Sequence, residues 1–101
     1  MKPYTWTKQP AEMRKLEFAG SRSLPTGDTF LSATAVMYDE DGNNVSASMI
    51  SGLPSVSTDK IYVIVYGGTH NKTYYLKILA TTSGGEVIED DLVIVVKQIG
   101  K

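Results

Sequence analysis

Four carboxylates near the end of the chain, Glu86, Glu89, Asp90 and Asp91, are the densest set of groups that could move protons. Paired carboxylates do general acid–base work when burial raises one pKa above the other. Neighbouring residues of a strand point to opposite faces, however, so a strand would not aim Asp90 and Asp91 at one substrate. A solvated strand start that discourages edge-to-edge pairing is the plainer reading. Asp39-Glu40-Asp41-Gly42-Asn43 offers oxygen ligands in the manner of a calcium loop, which also requires Gly at its sixth and Glu at its twelfth position. Gly42 comes at the fourth and Ile50 at the twelfth, so the template fails and a polar hairpin turn remains. His70 is the single histidine and cysteine is absent. That leaves no transition-metal ligand set, no thiolate and no positional support for a Ser–His–acid triad. Asn44-Val45-Ser46 and Asn71-Lys72-Thr73 match the glycosylation pattern but lack a secretory leader to give it meaning. Gly67-Gly68 and Gly84-Gly85 lack the Lys-Ser/Thr or the helix that a phosphate cradle needs. No catalytic, cofactor or metal residue is expected.

Tyr4 and Trp6 need a different account. They lie in residues 1–11, bracketed by Pro3 and Pro10, where no period of 2 or 3.6 is visible. Such a segment reads as an extended N-terminal arm, with residues 12–101 as the folded domain. A Trp on an arm either folds back on its own domain or anchors a partner, and large rigid aromatics suit an anchor. Tyr4 and Trp6 are therefore the candidate partner-binding residues. Charge points the same way. Residues 1–24 hold five basic and two acidic side chains (+3), whereas residues 25–101 hold five and nine (−4). A basic leader on an acidic body could dock onto an acidic neighbour, including another copy, although scattered solvated charge is the plainer reading; the acidic body disfavours nucleic acid.

The elements that must hold these residues are strands. At 101 residues with 42% apolar content, the chain suits one domain that buries roughly 65% of its unfolded surface. Residues 12–18 give a weak first strand. Ser23-Leu24-Pro25-Thr26-Gly27-Asp28 gives a turn, residues 29–38 a strand, and Asp39 to Asn44 a hairpin connection with Asp-Gly chemistry. Residues 45–50 form a short piece whose Met49 and Ile50 cap the core, and Ser51-Gly52-Leu53-Pro54-Ser55 turns the chain again. Ile61, Val63 and Val65 alternate with Tyr62, Ile64 and Tyr66 in a central strand. Tyr74, Leu76, Ile78 and Ala80 share one face of the next strand. Residues 86–97 form the last, with a bulge or exposed start at Asp90-Asp91. Regular short strands with turn signals between them predict an all-β, immunoglobulin-like antiparallel sandwich of about six to eight strands. Tyr74 opens its strand after a Gly-rich loop, either as a tyrosine-corner residue whose hydroxyl bonds back to that loop or as a core aromatic without that bond. The N-terminus has no apolar leader and no run reaches membrane-spanning length, so a soluble protein made in the cytoplasm, with no membrane partner, is expected.

Ser23-Leu24-Pro25-Thr26-Gly27-Asp28-Thr29-Phe30, the hairpin between Tyr38 and Val45, Gly67-Gly68-Thr69 with Lys72-Thr73-Tyr74, Ala80-Thr81-Thr82-Ser83 and Glu89-Asp90-Asp91 together resemble a group of small bacteriophage and prophage structural proteins. The resemblance covers most of residues 12–97 and rests on turn chemistry. The chain departs from that group at Phe30, where Ile is usual, and its first strand lacks the Asp-Trp found there. The resemblance implies a non-enzymatic virion component of a tailed phage, at the head–tail region, on the tail or on the capsid surface. It carries over no functional residue. The expected function is thus a structural subunit that packs in many copies, through its sandwich and its aromatic, basic arm, against other virion proteins and itself. Exposed aromatics such as Tyr62, Tyr66 or Tyr75 would add contact area. The alternative is a binding module that recognises a carbohydrate or host surface through its loops.

Overall fold

Alternation with a period of two runs through most of the chain, and it resolves into two facing sheets. The structure is a computed structural model and describes residues 4–19 and 27–98. Its strands are β1 (Tyr4–Lys8), β2 (Arg14–Ala19), β3 (Phe30–Tyr38), β4 (Ile50–Val56), β5 (Lys60–Val65), β6 (Lys72–Thr82) and β7 (Val87–Val96). A single helical turn, α1 (Ser46–Met49), precedes β4. One sheet has the order β1-β7-β6-β3 and the other β2-β5-β4, so the fold is an all-β sandwich. Most of the turn predicted before β3 lies outside the described residues.

Inward positions on the long strands carry the core. Tyr74, Leu76, Ile78 and Ala80 of β6 face Leu92, Ile94 and Val96 of β7 and Met37 of β3, against Ile61, Val63 and Val65 of β5. β5 is the central strand of its sheet, as its two apolar faces require. The Tyr74 hydroxyl accepts the Thr69 N–H at 3.0 Å, so of the two readings of this residue the structure has the one with the bond to the preceding loop. Tyr74→Phe keeps the buried ring but leaves that N–H without its partner. Urea unfolding should show a loss of about 1 kcal/mol.

Three segments differ from the sequence-based expectation. Residues 4–8, read as part of an arm, lie on β7 as a parallel edge strand, with Tyr4 to Lys8 in register with Leu92 to Val96. Their alternation is present but disguised, because one inward position is a lysine. Residues 51–55 do not turn the chain: they lie within β4, where Gly52 at φ +73° absorbs a register shift between Ser51 and Ser55. Asp90 and Asp91 cause no bulge either, since β7 stays in unbroken register with β6 from Thr81↔Val87 to Lys72↔Val96. Asp90 instead takes an inward-parity position opposite Ile78. No described helix is long and apolar enough to cross a membrane.

Candidate functional site

Each candidate chemical group is occupied by local structure. Asp39 turns its carboxylate onto its own hairpin, where Oδ1 accepts the N–H groups of Asp41 and Asn43 at 2.9 Å each. The backbone N–H of Asn43 holds the Asp39 pKa below its ordinary value. Those oxygens cap a turn rather than project toward an ion. His70 Nδ1 accepts the Gln98 N–H at 2.9 Å in an exposed loop. The acidic quartet is dispersed. Glu86 lies in the β6–β7 turn, its N–H on Thr82 Oγ1 at 3.1 Å. Glu89 pairs with Lys77 at 4.0 Å, on the strand face opposite to Asp90. Among the described residues no three His, Cys, Asp or Glu side chains converge on a metal position.

Two cavities formed by described residues are small. Asp90 lines one of ≈ 10 Å³ with Phe18, Phe30, Ile61, Ile78, Ala80 and Ile88, room for about one water. A second, of ≈ 210 Å³, opens on the outer face of the four-stranded sheet between Tyr38, Tyr75, Lys77, Asp91 and Val93. Small-molecule pockets are typically about 300–1,000 Å³. The outer groove therefore accommodates a protruding side chain better than a substrate. It follows the cross-strand row Tyr38–Tyr75–Val93–Thr5, which spans all four strands of the sheet. Tyr75 is 45% exposed in that row. Sequence reading named Tyr75 but missed the row, because cross-strand register is invisible from one strand. Of the other two aromatics, Tyr62 lies beneath the Lys15 ammonium at 4.7 Å, and the Tyr66 hydroxyl donates to the Ala47 carbonyl at 3.0 Å.

The structure puts Tyr4 and Trp6 on one short strand. Trp6 is half-buried and packs against the core, in register with Ile94, and Tyr4 is in register with Leu92. β1 is held at its far end by a side chain that sequence reading passed over. Lys8 is fully buried, and its ammonium donates to the carbonyls of Gln9 (2.7 Å), Pro10 (3.3 Å) and Gly67 (2.7 Å). Three acceptors match the three protons of an ammonium. Gly67 follows β5, so Lys8 ties the edge of one sheet to the other. Burial pushes the Lys8 pKa down, partly opposed by the Glu12 carboxylate nearby. Glu12 Oε1 accepts the Gln9 N–H at 2.9 Å, and that bond, with Arg14 adding to it, holds the Glu12 carboxyl below its usual range. No local pattern flags a lysine as inward; the alternation with Trp6 was the available signal.

A family model described as the podophage GP4 fiber-tail adaptor protein gp77 matches residues 8–95. A search of curated proteins finds no match. Among solved structures, CopC from Methylosinus trichosporium OB3b superposes with a TM-score of 0.63 at 13% identity, over 98% of this chain and 87% of that one. At that identity the likeness concerns the fold alone.

Proposed function

The chain belongs to the family of the podophage GP4 fiber-tail adaptor protein gp77, and from that membership we propose that it joins neighbouring virion proteins at the fibre–tail junction. Membership makes it a structural phage tail component, located in the virion. The finer reading is ours. The subunit is non-enzymatic, uses no cofactor, binds no nucleic acid and is made in the host cytoplasm. It works as a rigid spacer, with residues 1–11 as the contact segment and residues 12–101 as the body. The immunoglobulin-like assignment of the sandwich belongs to the same proposal and is supported by the bond between Tyr74 and its preceding loop. The family match over residues 8–95 is the observation that carries the reading.

Tyr4 and Trp6 anchor the partner in this reading. Trp6 gives part of its ring to its own core and keeps the remainder for a neighbour, as an amphipathic aromatic can. A chain beginning at Ala11 would lose β1 and Lys8 as well, so point substitutions are the cleaner test. Tyr4→Ser and Trp6→Ser should each reduce incorporation into tail particles at least about tenfold, as truncation of an interface anchor does. Melting of the same variants separates docking from folding. Folded variants that incorporate like the wild type would remove the contact segment from the proposal. Glycan binding by those variants would favour the loop-based binding module.

A further inference from the structure

Among the described residues, β2 is an edge strand whose ladder is unbroken along its whole length. β2 pairs with β5 from Arg14↔Val65 to Ala19↔Lys60 without interruption, and no described strand pairs with its other side. The remaining edges are poorer templates. β3 is shifted between Phe30 and Ser32 and packs against β4, and β4 is shifted between Ser51 and Ser55. β1 is a residue shorter and presents uncharged Thr5 and Thr7 on its outer face. The inward residues of β2, Leu16 and Phe18, are half-buried, so the core is incompletely covered along this side.

We propose that β2 pairs antiparallel with β2 of a second copy of this chain, about a two-fold axis at Leu16. Charge complementarity selects that occupant. In this register, residue 15 lies opposite residue 17 of the second copy, and both side chains stand on the outer face of the sheet. Lys15 then meets Glu17 of the second copy, and Glu17 meets Lys15 of the second copy. The strand is self-complementary, as an isologous contact demands. Both side chains are already held on the outer face, Lys15 over the Tyr62 ring and Glu17 by Lys60 at 3.8 Å. Leu16 lies opposite Leu16 of the second copy on the inner face, flanked on each side by Phe18 opposite Arg14, whose aliphatic stem would lie along the ring. Backbone pairing supplies the attraction and the alternating charges fix the register. The contact is small, a few residues a side, and gains strength from repetition in an assembly. It does not depend on where in a particle the chain sits.

The experiment is sedimentation equilibrium of the isolated full chain over a wide concentration range, with charge reversals. The wild type should form a dimer that weakens as salt rises. Lys15→Glu and Glu17→Lys each set like charges opposite one another twice per interface. Each should raise the dissociation constant by about tenfold or more. The double reversal Lys15→Glu/Glu17→Lys restores opposite charges in trans and should regain wild-type association. Carbodiimide cross-linking of mixed light and heavy isotope-labelled wild type needs no substitution, and should join Lys15 of one copy to Glu17 of the other. A wild type that stays monomeric overturns the proposal. So does a double reversal as weak as the singles, or cross-links confined to one copy. Particle incorporation is not the readout, so failure here leaves the fibre–tail reading standing.

Discussion

Lys8→Ala should lower the stability of the domain by about 3 kcal/mol, the scale on which removing one member of a buried, charged hydrogen-bonded set acts. The substitution strands the Gly67 carbonyl, removes both bonds to the following turn and empties the space of a buried side chain. In a chain of this size the melting temperature should fall by about 15 °C. Lys8→Met fills most of the volume but makes no bond, and should lie between wild type and Lys8→Ala. The sign of the pH dependence is also fixed. Burial sets the folded-state pKa of Lys8 below its ordinary value of 10.5. Between those two values the unfolded chain holds more protons than the folded one, so stability from this group rises with pH. Below the lowered value both states are protonated and the cost of burying the charge is present in full. The gap between wild type and Lys8→Met should widen as pH climbs through that window toward 10.5. Urea unfolding at a series of alkaline pH values measures it, and a constant gap would mean that the ammonium is not desolvated.

The second large effect belongs to the loop that receives this lysine. Gly68 has φ +96°, and a Cβ placed there would lie 2.7 Å from Val96 Cγ2 and 3.1 Å from Met49 Cε. Val96 and Met49 are both buried in the core. Gly68→Ala should therefore cost about 3 kcal/mol, roughly 1–2 from the left-handed backbone and the remainder from overpacking. Gly85 is the control, with φ +87° and nothing within 4 Å of the added carbon. Gly85→Ala should show the backbone cost alone, about 1–2 kcal/mol. Equal losses at the two positions, by denaturant unfolding, would show that the Val96 contact relaxes without cost.

What could be read beforehand follows from how each segment signals its environment. β5 and β6 place apolar side chains at every second position over long spans, and the structure keeps those faces. The end of β7 does the same with Leu92, Ile94 and Val96. The turns at Asp41-Gly42 and Ser83-Gly84-Gly85 were legible because their backbone geometry is local. β1 was not, because Lys8 at an inward position looks like solvent until three carbonyls from two parts of the chain are seen around it. Gly52 and Pro54 look like a turn, yet β4 absorbs them as an irregular edge. Asp90 and Asp91 look like an interruption, and pairing with Ile78 and Lys77 of a long neighbour overrides that local preference. The surface was less legible still. The Tyr38–Tyr75–Val93 row and the opposed charges of Lys15 and Glu17 exist only once strand partners and edges are known.

The parallel register of β1 with β7 also decides how the domain bears load. β1 is the first described strand and β7 the last, and both run in the same direction side by side. Tension applied through the start of β1 and the end of β7 pulls the two strands past each other along their length. Their backbone bonds then resist together, in shear, instead of parting one at a time as in a peeled hairpin. The Lys8 ammonium lies at the trailing end of that lap joint and adds cross-sheet ties to it. A pull applied across these two points would load the whole β1–β7 ladder at once.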